Sequence, residues 1–175
     1  MQIERIEEYN LTSEDEGQIN TLLVRAFNED FGDRSYHQQR HHIRFITRDG
    51  DKIIGHMALC YRSIRMGDAL VRVIGLAEVS TDPDHQGRGI ASALMAETLK
   101  EARASQADFF LLFGVRPMYA GNGFRNVPNH TIHTRLYGAR TGEVATAPEP
   151  HLMVLQLRDI EWDDAAPIDL LGFSF

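Results

Sequence analysis

Apolar positions in the first third of the chain recur at two different periods. Ile3 and Ile6 alternate with polar neighbours over residues 2–8 and predict a short edge strand. Farther on, Ile19, Leu22, Leu23 and Ala26 return at helical spacing, so a helix running to about Phe27 buries one face. Thr12 or Ser13 caps it, and Glu14 to Glu16 sit favourably against the positive end of its dipole. Asn28 to Ser35 is a polar loop, and Tyr36 to His42 is expected to form a short second helix. Two strands, Ile43 to Thr47 and Lys52 to Ile64, flank Asp49-Gly50-Asp51, a turn chemistry that favours a hairpin. A second turn at Met66-Gly67-Asp68 leads into a long strand, Leu70 to Thr81. The sheet to this point is antiparallel by prediction.

After Pro83 the period becomes helical again: Ile90, Leu94, Leu99 and Ala102 share a face, and the helix should end near Ser105. Phe109 to Phe113 is an unbroken apolar run closed by Gly114, the pattern of a strand buried on both faces. Reached through a crossover helix, it should lie parallel to the strand ending at Thr81. A short helix from about Pro117 to Ala120 and strands around Thr131 to Tyr137 and Met153 to Leu157 complete a mixed sheet, with Ala145 to Pro150 read as a connection. Residues 158–175 read as a C-terminal tail with acids at Asp159, Glu161, Asp163, Asp164 and Asp169. Its apolar Leu170, Leu171, Phe173 and Phe175 can pack either on their own domain or on a partner subunit, which would make a homodimer.

Composition narrows the function classes. With 175 residues and 43% hydrophobic content the chain supports one core, so a single domain spanning 1–175 is expected. A formal charge of −7 opposes binding to nucleic acid or anionic lipid and favours a cationic or amine-bearing partner. No apolar stretch approaches the roughly 20 residues that span a bilayer, and Met1 is followed by acidic, amphipathic sequence, which points to no membrane association and a cytoplasmic location. Cys60 is the only cysteine, which excludes an intrachain disulfide and a cysteine-rich zinc site.

The most informative stretch is Asp82-Pro83-Asp84-His85-Gln86-Gly87-Arg88-Gly89-Ile90-Ala91-Ser92, between a strand and an amphipathic helix. Pro83 helps stop the strand, while Gly87 and Gly89 let the backbone bend closely around a ligand without Cβ obstruction. Successive N–H groups there share the positive end of the helix dipole and make a concave site for an anion such as a pyrophosphate. The plainer reading is a glycine-rich turn that caps a helix.

Gln86-x-x-Gly89-x-Ala91 resembles the Gln/Arg-x-x-Gly-x-Gly/Ala signature of the GNAT N-acetyltransferase superfamily. Tyr119-Ala120-Gly121-Asn122-Gly123-Phe124 resembles the family's Tyr-x-x-x-Gly-Phe segment after the buried fifth strand. The resemblance covers about Gly55 to Phe124. Within the superfamily, His56 to Gly67 and the strand after it are similar to the aminoglycoside 2′-N-acetyltransferases and nodulation N-acyltransferases, and Ala26 to Phe31 looks like the acidic substrate loop of the former. Those enzymes place their glutamate at the position of Ala77, whereas this chain offers Glu78. A one-residue shift reverses the face a side chain points to unless a bulge restores it. The acidic, tryptophan-terminated tail of the aminoglycoside enzymes is also replaced here by Leu-Gly-Phe-Ser-Phe.

The resemblance implies an α/β (α+β) fold, a GNAT-like mixed, mostly antiparallel sheet flanked by helices on both faces. It implies an N-acetyltransferase that moves the acetyl group of acetyl-CoA to a small-molecule amine by direct attack, with no metal. Val79 and Thr81 would hold the pantetheine through their backbones, and Gln86, Gly87, Arg88, Gly89, Ile90, Ala91 and Ser92 the pyrophosphate. An alkylammonium is neutral only about one part in 10³ at pH 7, and a carboxylate near the amine, directly or through water, could accept its proton. Glu78 is the candidate base, and Asp30 and Asp33 are candidates to orient the cation, or else solvated surface acids. Tyr119 is the candidate acid for the leaving thiolate, its alternative being a core aromatic.

Two competing readings come from the same residues. His37-Gln38-Gln39-Arg40-His41 has the i, i+4 histidines of a zinc-peptidase helix, but Gln38 stands where that motif's glutamate belongs and no third ligand is marked. A catalytically weak acetyl-CoA-binding module, a sensor or scaffold, is the other; the displaced glutamate favours it and Tyr119 opposes it.

Overall fold

The structure is a computed structural model that describes all residues from Met1 to Phe175. In chain order it has strand β1 (Ile3–Glu7), helix α1 (Ser13–Phe27), β2 (Ile43–Asp49), β3 (Lys52–Met66), β4 (Ala69–Thr81), α2 (Ile90–Ala104), β5 (Phe109–Phe113), α3 (Pro117–Gly121), β6 (Arg125–Asn126), β7 (His130–Tyr137), β8 (Arg140–Pro148), β9 (Leu152–Gln156) and β10 (Ile168–Asp169). The chain packs as two compact units, Met1–Cys60 with Ala77–Glu101 and Tyr61–Leu76 with Ala102–Phe175, so β3 and β4 each contribute to both. The sheet is mixed and mostly antiparallel, as the patterning implied.

In the first unit β1 pairs antiparallel with β2, and β2 with β3, Ile43 lying opposite Leu59 and Arg44 opposite Ala58. Thr12 caps α1 by accepting from the Asp15 N–H, and the helix ends on Asn28 in a left-handed conformation. Ile19, Leu22 and Leu23 of α1 pack with Phe31, Ile46 and Ile53. The start of α2 lies directly on β3. A Cβ on Gly55 would come within 2.5 Å of Ile90 Cγ2 and 3.0 Å of Leu94 Cδ1, so the missing side chain is what lets this helix approach the strand.

In the second unit the strands run in the order β6-β9-β5-β4-β3-β10-β7-β8. β4 and β5 are parallel, Val73 opposite Phe109, as the crossover helix required. Phe109 and Leu111 are fully buried beside Val73, Val154, Trp162 and Ile168, and the Trp162 indole meets Phe109 edge-on at 5.0 Å between centroids. The Phe175 ring lies over Gly75, where any Cβ would sit 2.3 Å from it.

Three expectations change. Residues 36–42 form no helix; the segment is irregular because its polar groups are taken by partners distant in sequence, described below. Ala145 to Pro148 belong to β8, a strand paired with β7 from His130–Pro148 to Tyr137–Arg140. The segment after residue 158 supplies core: Trp162, Ala166, Ile168 and Leu170 are buried, and β10 pairs with both β3 and β7. No helix is long and apolar enough to cross a membrane.

Candidate active site

β4 ends at Thr81 and leads through a single helical turn at Pro83–His85 into the segment that opens α2. Gly87 and Gly89 adopt φ of 75° and 77°, conformations that favour glycine. A Cβ built on either meets nothing within 4 Å, so the backbone there borders open space. Gln86, Gly87, Arg88 and Gly89 are exposed, whereas Ile90 is buried against β3. The Ala93 N–H donates to Gly89 O in the first turn of α2, which leaves the amides of Ile90, Ala91 and Ser92 without an intrahelical acceptor. Such a run of free N–H groups at a helix start holds an anion. Val79 and Thr81 lie just upstream on β4, both partly exposed.

Glu78 interrupts the extended alternation of β4 with φ 51°. A left-handed non-glycine residue costs roughly 1–2 kcal/mol, and the surrounding contacts hold it there. Its side chain is only 6% exposed and turns into a polar cluster. Oε1 accepts the His37 backbone N–H at 2.6 Å, Oε2 accepts from Arg44 Nη1 at 3.2 Å, and His41 Nε2 lies 2.8 Å from Oε2 at ion-pair distance. Burial pushes the Glu78 carboxyl up, but the His41 contact and the charges of His41 and Arg44 outweigh it and hold it below the usual glutamate range.

Arg44 is the hub of this cluster and its side chain is fully buried. It donates to Glu8 at 2.6 and 3.0 Å and to Ser35 O at 2.8 Å, and its Nη1 lies 3.1 Å from His56 Nε2. His56 Nδ1 in turn lies 3.0 Å from Glu78 O. Burial and the neighbouring Arg44 push the His56 imidazole down to about 3, so it is neutral. His41 behaves oppositely. Burial disfavours its charge, but Cys60, whose Sγ lies 3.0 Å from Nδ1, and Glu78 together raise it to about 9. His37 and His41 therefore share no helix face: His37 stacks edge-on against Phe31, while His41 points to Cys60 and Glu78.

Asp30 and Asp33 are exposed in the loop between α1 and β2. Asp30 accepts from Gly32 N at 2.7 Å, and Asp33 is left-handed with φ 58°. In the second unit, Tyr119 sits in α3, within the short helix expected there, 6% exposed, with its ring packed edge-on near Phe124. Gly114 makes room for that ring, since a Cβ there would lie 2.6 Å from Tyr119 Cε2. The Tyr119 hydroxyl makes no hydrogen bond to another residue, and burial raises its pKa, so it stays protonated at neutral pH.

The structure thus gathers Glu78 with the loop residues His37 and His41, and gathers the glycine turn with α2. It keeps Asp30 and Asp33 out of the Glu78 hydrogen-bond cluster. Sequence reading gives Arg44 no role and does not join it to His41, His56 and Cys60, because the contacts that unite them join residues 8 to 78.

A family model described as an acetyltransferase (GNAT) domain matches residues 9–127. None of the curated proteins compared matches in sequence. Among solved structures, the chain is similar to the GNAT family N-acetyltransferase YhbS from Escherichia coli in complex with CoA (18% identity, TM-score 0.64, 96% of this chain and 88% of that one). It is also similar to a GNAT family acetyltransferase from Brucella melitensis in complex with acetyl-CoA (17%, 0.59, 91% of each chain). Against a probable N-acyltransferase from Enterococcus faecalis (15%, 0.59) it aligns over 74% of its own length and spans only 34% of that longer chain.

Proposed function

We propose a function from one premise: the chain belongs to the GNAT acetyltransferase family, whose domain model covers most of its length. In this reading it transfers the acetyl group of acetyl-CoA to the amine of a small, cationic molecule by direct attack. The observation that carries the reading is the turn before α2, where two left-handed glycines border open space and three helix-start amides lack acceptors. Gln86 to Ser92 would hold the pyrophosphate there, and the backbones of Val79 and Thr81 the pantetheine. The CoA and acetyl-CoA complexes of the two bacterial neighbours support the same donor.

Glu78 is the candidate base. Three of its roughly four lone-pair sites are engaged, which leaves one for a water that passes on the amine proton. Its low pKa keeps it ionised, so that it would stand as a fixed anion beside the developing ammonium. Tyr119 would protonate the leaving thiolate, and a phenol with no internal partner is free to donate. Asp30 and Asp33 would draw in the cation. Kinship with aminoglycoside or nodulation enzymes in particular belongs to this proposal too.

A thiol-release screen across amines, run beside acetyl-CoA calorimetry, tests the reading. Polyamines and aminosugars should outperform neutral amines at low salt, and the preference should fade as salt screens the acids. No acetyl-CoA binding would sink the proposal. Tight binding without turnover on any amine would favour the second reading, a sensor or scaffold, which the heavy engagement of Glu78 supports.

A further inference from the structure

Asp82 is 1% exposed, the last residue before Pro83, and has no part in the chemistry set out above. Its carboxylate is surrounded by donors from three elements. Arg25 of α1 reaches Oδ2 at 2.6 Å, and Lys52 at the start of β3 reaches Oδ2 at 2.7 Å. The Asp84 N–H donates to Oδ1 at 3.0 Å, and His85 Nδ1 lies 3.3 Å from the same oxygen. The backbone is fastened as well, with Asp82 N donating to Ile54 O at 2.8 Å. Arg25 also spans to Asp84 at 2.8 Å, and His85 Nε2 reaches Asp49 at 3.3 Å. The residues just beyond, Gln86 to Gly89, are exposed and have glycine at two of four positions, so nothing within that stretch fixes its path.

We propose that Asp82 is a positioning residue for coenzyme A binding: it clamps the anion-binding turn to α1 and β3 so that the amides from Gly87 to Ser92 are already aimed before ligand arrives. This rests on the assignment of that turn to CoA. Preorganisation of this kind strengthens binding by removing the ordering entropy from the association step. It also explains why a carboxylate is kept where a pyrophosphate is to bind. Its charge is offset by Arg25 and Lys52, and its four donors would otherwise be free to swing.

The clamp and bare electrostatics predict opposite signs. Asp82→Asn removes a negative charge near the phosphates, so electrostatics alone would tighten CoA. The clamp predicts that Kd for CoA and KM for acetyl-CoA rise about tenfold or more while kcat holds, because asparagine is a weaker anchor for Arg25 and Lys52. An unchanged or tighter Kd in folded Asp82→Asn overturns the proposal. Amide hydrogen exchange on the ligand-free protein gives a readout independent of CoA. In Asp82→Asn, and in an Arg25→Met/Lys52→Met double variant should the first not fold, exchange from His85 to Ala91 should quicken while β2 and α1 stay protected. Uniform quickening across the chain would make Asp82 a stability residue only and overturn the clamp. A wild-type protein that fails to bind CoA defeats the CoA assignment, and the proposal with it, whereas the exchange pattern still reports whether the turn is clamped.

Discussion

His37 donates its backbone N–H to Oε1 of Glu78 at 2.6 Å, so one carboxylate both anchors the loop before β2 and stands as candidate base. Glu78→Gln separates these duties, since an amide oxygen still accepts from His37 but carries no charge for Arg44 and His41. Stability should fall on the order of 3 kcal/mol, the usual effect of breaking a buried ion pair on one side. Turnover should fall about 10²- to 10⁴-fold if Glu78 takes the amine proton. Denaturant titration and steady-state kinetics on the one variant read both. A destabilised protein with native kcat would leave Glu78 an anchor alone.

Tyr119→Phe keeps the ring in the space that Gly114 leaves for it and deletes only the hydroxyl. Because that hydroxyl has no protein partner, the thermal midpoint should hardly move. If it is the acid, kcat should drop about 10²- to 10⁴-fold with acetyl-CoA affinity intact. Near-wild-type turnover removes Tyr119 from the mechanism.

The His41 imidazole, raised to about 9, ties stability to alkaline pH. A histidine whose folded pKa exceeds its unfolded value near 6.5 stabilises fully below that value and loses the contribution as pH climbs through the folded one. The stability gap between wild type and His41→Gln should therefore be flat below about pH 6 and shrink from there through pH 9. Urea midpoints across this range check it, and a gap that widens with pH would contradict the Glu78 and Cys60 pairing.

Gly89 at φ 77° has open space where a Cβ would go, so Gly89→Ala meets no clash within the protein. The substitution adds left-handed strain of roughly 1 kcal/mol and puts a methyl group into the proposed phosphate cradle. CoA affinity should weaken by about tenfold or more, with a melting midpoint only a few degrees lower. Calorimetric affinity equal to wild type would move the pyrophosphate elsewhere.

Where local sequence decides the outcome, the structure agrees with it closely. The run Phe109–Phe113 is a strand residue for residue, and Thr12 caps α1, because continuous apolarity and a capping hydroxyl act within a few positions. β8 is not legible in the sequence because Glu143, Val144 and Ala145 show no alternation and the strand pairs through β7 alone. The expected helix at Tyr36–His42 fails because the Ser35 carbonyl goes to Arg44, the His37 N–H to Glu78 and the His41 ring to Cys60. At the site, the glycine turn was legible from its spacing. The orientation of Glu78 was not, since it depends on a single left-handed residue held by a buried arginine thirty-four positions away.

The loop from Asn28 to His42 is gripped through its main chain as well as through the buried side chains of Phe31 and His41. Ser35 contributes its carbonyl, His37 and His42 their N–H groups, and Glu8 N donates to His42 O. Backbone groups are common to every residue except proline at the donors, so these fastenings do not depend on which side chains the exposed positions carry, whereas Phe31 and His41 are fixed by their burial. Exposed residues such as Glu29 and Gln39 can change while Arg44 and Glu78 keep the same hold. A loop fastened in this way can diversify in sequence without a new scaffold, and libraries that randomise its exposed positions should yield a high proportion of folded proteins.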